Sequence, residues 1–83
     1  MEYWVHLDNE PRKRTTSIVD ARRIAIKDLM KHSNLQNRPI YTSRYGKGHA
    51  GNVFIKNGDF YYSKRTQNGI RYYALTFNGE IKR

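Results

Sequence analysis

The chain has 83 residues, the size of one small domain, and carries sixteen Lys and Arg against seven Asp and Glu, a net charge of +9. It has no cysteine, which excludes disulfides, iron–sulfur clusters, cysteine-ligated zinc and thiol catalysis. Aromatic rings are 13% of the residues, too many for a disordered basic tail, and no apolar run approaches the roughly 18 residues of a membrane span.

The N-terminus is polar and charged, without the apolar core of a signal peptide. A soluble, cytoplasmic, single domain over residues 1–83 is the expectation, with no membrane contact. Charge is unevenly placed. Residues 1–11 sum to −3, residues 12–37 to +5 and residues 38–83 to +7. The positive charge is therefore spread over most of the fold, and it lies just beyond the magnitude of about 2–8 usual for solubility alone. Such a surface attracts polyanions.

Residues 2–8 alternate, with Tyr3, Val5 and Leu7 on one side and Trp4, His6 and Asp8 on the other, which predicts a half-buried strand. Asn9, Glu10 and Pro11 end it. Arg12, Lys13 and Arg14 follow, then Thr15, Thr16 and Ser17 as candidate N-caps, with Ser17 and Asp20 spaced as a capping box. A helix is predicted over about 18–32. Its apolar half holds Ile18, Val19, Ala21, Ala25, Ile26, Leu29 and Met30, with Arg23, Lys27 and Lys31 opposite. Arg22 falls within the apolar arc, its stem packed and its head reaching solvent. Residues 33–39 read as a connector.

The second half is strand and turn. Ile40–Tyr45 is a strand, and Gly46–Gly51 is a glycine-rich loop without Walker spacing. Asn-Gly pairs at 57–58, 68–69 and 78–79 are hairpin signals. They divide the region into strands Asn52–Lys56, Asp59–Arg65, Ile70–Phe77 and Glu80–Lys82. With two-residue loops, Ile55 faces Phe60, Val53 faces Tyr62, Tyr62 faces Leu75 and Phe60 faces Phe77. A four-residue Thr66–Gly69 loop would move the last pairing by two and keep the faces. One face then carries Val53, Ile55, Phe60, Tyr62, Tyr73, Leu75 and Phe77 as core. The other carries Phe54, Lys56, Tyr61, Ser63, Arg65, Tyr72 and Thr76.

The expected fold is α+β in two layers, ordered β-α-β-β-β-β, with the helix on one face of a mostly antiparallel, hairpin-rich sheet. One helix shelters only one face, and a solvated face normally turns polar. Here it would present rings and cations, the combination on which unpaired bases stack and phosphates are neutralised. Phe54, Tyr61 and Tyr72 are the candidate stacking residues. Lys56, Arg65, Arg44 and Lys47 are candidate phosphate contacts, and Arg12, Lys13 and Arg14 extend them beside a helix N-terminus that favours anions. The expected partner is nucleic acid, DNA or RNA, bound with modest sequence preference. Size and charge would suit an accessory protein of a phage or mobile element.

Two other readings stand beside this one. The aromatic face could dock on a protein, as an inhibitor or adaptor, because rings and Arg are favoured at interface hot spots. A metal-independent ribonuclease could use His49 with Lys47, Arg44, Tyr61 or Arg65. In size and element order the chain resembles small basic toxins that cleave RNA, although no motif matches residue by residue. His6, His32 and His49 are far apart in sequence and share no ligand spacing, so neither metal nor cofactor is expected.

Overall fold

The computed structural model describes residues 1–32 and 35–83. It contains one helix, α1 (Ile18–Lys31), and six strands: β1 (Tyr3–Val5), β2 (Lys13–Thr15), β3 (Asn37–Tyr41), β4 (His49–Lys56), β5 (Asp59–Thr66) and β6 (Gly69–Ala74). The strands form one antiparallel sheet in the order β2-β1-β3-β4-β5-β6. The helix lies in the chain between β2 and β3 and packs on one side of the sheet, giving an α+β domain of two layers. No helix among the described residues is long and apolar enough to cross a membrane.

The helix begins where its cap allows. Ser17 is extended, and its hydroxyl accepts the Asp20 N–H at 3.3 Å, satisfying one of the free donors of the first turn. Asp20 adds a carboxylate at the positive end of the helix dipole. Ala21, Ala25, Ile26 and Leu29 are buried against Val5, Ile40, Val53, Phe60, Tyr62 and Leu75 of the sheet. Met30, assigned to the apolar half by periodicity, is exposed. It stands at the margin of the arc, beyond the reach of the sheet.

Arg22 differs from expectation more sharply. Its head is buried rather than solvated: the residue is 5% exposed, Nε donates to the Gly79 carbonyl at 2.7 Å, and the guanidinium lies 4.9 Å from the Tyr62 ring centroid. A second buried charge, Asp28, accepts from Arg38 Nε at 2.6 Å.

Several boundaries also differ. No strand is predicted between Pro11 and the helix, but Lys13–Thr15 pairs with β1, Trp4 opposite Arg14 and Val5 opposite Lys13. β-Propensity is poor there, so pairing with β1 overrides it. The predicted connector 33–39 begins with Ser33 and Asn34, which lie outside the described residues, and from Asn37 onward it is strand, paired with Phe54 and its neighbours. β3 then ends at Tyr41, and Ser43–Gly46 closes as a turn. Ala50 and Gly51, expected in a loop, belong to β4.

The hairpins follow turn chemistry. At Asn57-Gly58 both residues are left-handed, φ 53° and 81°, as a type I′ turn requires, and Ile55 faces Phe60 with Val53 facing Tyr62. At the next hairpin Thr66 pairs with Gly69 and Tyr62 with Tyr73, not Leu75. The Thr66 hydroxyl accepts the Asn68 N–H and donates to the Gly69 carbonyl. That closure draws the turn one residue back and moves the register by two. The faces survive, since only an odd shift exchanges them. Beyond β6 the predicted last strand is reduced to one bridge, Leu75 with Ile81, and Phe77 is exposed although it touches Phe60 edge-on at 5.8 Å between centroids.

Candidate nucleic-acid interface

The side of the sheet away from α1 is built by strand alternation. Register places Phe54, Tyr61, Ser63, Tyr72 and Asn52 on it, opposite in sense to Val53, Tyr62 and Tyr73, which face the helix. No element of the described residues packs over this side. Phe54 and Tyr61, paired across β4 and β5, stack at 5.6 Å with planes 24° apart. Tyr72 meets Phe54 edge-on at 6.1 Å and is 64% exposed. The three predicted stacking residues therefore form one contiguous ring surface.

A second aromatic group occupies the diagonal corner. His6 and Tyr41 have centroids 5.0 Å apart, and Tyr41 and His49 4.9 Å. Trp4 pairs with Tyr41 across β1 and β3. Trp4, Glu10, Pro11, Arg12 and Arg44 line a cavity of about 440 Å³, so two arginines far apart in sequence meet at one indole. These rings were absent from the predicted set. The signal was present in β1, whose alternation already put Trp4 and His6 opposite Val5. Tyr41 and His49 had none, because the bounds assigned to β3 and β4 left them at a strand start and in a loop. Between the corners lies a polar stretch where the Ser63 hydroxyl donates to the Asn52 carbonyl at 3.4 Å.

The cations divide into those held by a carboxylate and those without one. Glu2 holds Arg14 at 2.7 Å, Asp20 holds Arg23 at 2.7 Å, Glu10 holds Lys31 at 3.6 Å and Asp28 holds Arg38. Arg12, Arg44, Lys47, Lys56 and Arg65 are exposed and have no acidic partner among the described residues. Arg44 is stacked on the Tyr45 ring at 4.9 Å and donates to its hydroxyl at 2.6 Å. Lys56 lies opposite Asp59, and Arg65 opposite Ile70, both on the open side. Lys13 shares the helix-side sense of Val5, so the Arg12–Arg14 run divides between the two faces. Lys64 and Arg71 are directly paired across β5 and β6, a like-charge juxtaposition that costs stability unless an anion relieves it.

The helix N-terminus does not assemble the expected anion cradle. Thr15 Oγ1 accepts the Ser17 N–H, the Ser17 hydroxyl accepts the Asp20 N–H, and the Asp20 carboxylate already stands there. Of the residues that could serve RNA cleavage with His49, one shares its cleft and one stands far off. His49 and Arg65 line one cleft, but Tyr61 pairs with Phe54, five residues from His49 along β4, or about 16 Å at the rise of a strand.

Two groups under the sheet have shifted ionisation. Burial pushes the Tyr62 phenol up, with the nearby Arg22 charge pulling it back. Burial pushes Arg22 down, opposed by Tyr62 and Tyr3. Both belong to the core and fix the sheet from beneath.

Comparison with known proteins leaves the geometry as the source of any functional reading: no family model, curated protein or solved structure matches this chain.

Proposed function

We propose that the chain is a non-enzymatic nucleic-acid-binding module that lays unpaired bases on the open side of its sheet. The observation that carries this reading is the Phe54–Tyr61–Tyr72 surface, contiguous and uncovered, on a face bordered by unpaired cations. Every base has a π face, so ring stacking contributes about 1–3 kcal/mol per base with little regard to identity. Phosphate contacts from Lys56 beside the rings, from Arg65 at the far end of β5, and from Arg12 and Arg44 at the second aromatic corner fix the strand's path without reading sequence. Modest sequence selectivity follows.

A binding series with single-stranded and duplex RNA and DNA, on wild type and Tyr61→Ala, tests the proposal. Single strands should bind more tightly than duplex, because a paired base has no free face to offer. Tyr61→Ala should weaken single-strand binding about 5- to 150-fold, the equivalent of one lost stack. Absence of binding to all four ligands at low salt would discard this reading in favour of a protein partner on the same rings.

A further inference from the structure

The fold brings Glu10, in the turn between β1 and β2, to two groups one helical turn apart, Asp28 in the last turns of α1 and His32 at its C-cap. One ligand atom from each lies within 4.8 Å of the others. Asp28 is 4% exposed; its Oδ2 is taken by Arg38 at 2.6 Å, but among the described residues Oδ1 has no hydrogen-bond partner. His32 Nε2 is likewise buried and unpartnered, and it stands 3.6 Å from that Oδ1. Leaving two buried polar atoms unsatisfied, face to face, is costly.

We propose that Asp28 Oδ1, His32 Nε2 and the Glu10 carboxylate form a structural site for a divalent first-row transition cation such as Zn²⁺, with water as the fourth ligand. Imidazole with carboxylates is a borderline donor set suited to zinc rather than to calcium or magnesium. Ligand bonds of about 2.0–2.2 Å require the three atoms to close slightly, and Glu10, on an exposed turn, is free to move. The surroundings supply the outer shell. Asp8 Oδ2 lies 3.8 Å from His32 Nδ1, where a carboxylate orients a ligating imidazole. Arg38 fixes the Asp28 carboxyl so that Oδ1 points inward. Lys31, 3.6 Å from Glu10, gives up that contact when the cation takes its place. The cation would clasp the turn carrying Arg12 to the end of α1, in a cysteine-free domain whose size favours such a staple.

The test is a thermal melt of the untagged chain, stripped with chelator and then titrated with Zn²⁺. Wild type should gain about 5 °C or more once Zn²⁺ exceeds Kd tenfold, and Co²⁺ should give the visible absorption of a tetrahedral ion. Glu10→Gln combined with His32→Gln should abolish both effects, while His6→Gln combined with His49→Gln should keep them. No shift in wild type would overturn the proposal. So would a shift that persists in the first double variant, because the ion would then sit elsewhere.

Discussion

Arg22 and Tyr62 meet as cation over ring beneath the centre of the sheet, the guanidinium 4.9 Å from the centroid, and Arg22 also donates to the Gly79 carbonyl. One helical side chain thereby joins α1, β5 and the C-terminal turn. Arg22→Met keeps most of the apolar stem but strands that carbonyl. It should cost about 1–3 kcal/mol, read as a lower denaturant midpoint at unchanged slope. An unaltered midpoint would mean that the guanidinium contributes nothing to stability.

Tyr62 should set an alkaline limit on the fold. Its phenol is pushed up from an ordinary value of 10.0 by burial, so the folded chain holds the proton more tightly than the unfolded one. The resulting stability is complete below about pH 10 and is lost as pH rises from there through the raised value. Tyr62→Phe removes the hydrogen bond to the Ala50 carbonyl, costing about 1 kcal/mol near neutrality. In return its stability should fall less steeply than wild type between pH 9 and 11 or so. Parallel slopes across that window in urea titrations would refute the assignment.

Gly58 and Gly79 share a left-handed backbone, φ 81° and 85°, but not their surroundings. A Cβ on Gly58 meets nothing, whereas on Gly79 it would press on the Val19 carbonyl and the Arg23 N–H of α1. Gly58→Ala should therefore cost about 1 kcal/mol of backbone strain, and Gly79→Ala distinctly more. Equal melting temperatures for the two variants would show that the C-terminal turn does not pack on the helix as described.

The cations flanking the rings should announce themselves through salt. If Arg12, Arg44, Lys56 and Arg65 each neutralise one phosphate, log K for a single strand falls against log salt with a slope near −3. Lys56→Ala with Arg65→Ala should bring the slope down by about 1.4 while leaving the preference for single strands intact. Loss of affinity at unchanged slope would place those two side chains away from the phosphates.

The helix and the sense of each central strand were legible because they rest on short-range rules. Ser17 and Asp20 mark a cap, and Asn57-Gly58 specifies its own turn. The β5–β6 register was not, because a Thr66 hydroxyl decides between two closures that both keep the faces. β2 was hidden for a different reason: Lys13 and Arg14 are poor strand formers, and only their pairing with β1 holds them extended. The stacking surface was read from alternation alone, while its second corner depends on β1 pairing with β3, a contact between segments separated by a whole helix. Arg22 was placed on the correct arc, but its head could not be traced to Gly79 without knowing where the C-terminal turn returns.

The margins of the sheet carry one more implication. A bare strand edge invites other chains to anneal to it, and short or cationic edges resist this. Here the outer strand on one margin, β2, spans three residues, two of them cations. On the other margin the returning tail seals the end of β6 through Lys82 N–H to the Ala74 carbonyl, and Arg71 interrupts the remainder. A slab this flat, 31 × 30 × 19 Å, should consequently stay dispersed at high concentration rather than growing into ribbons.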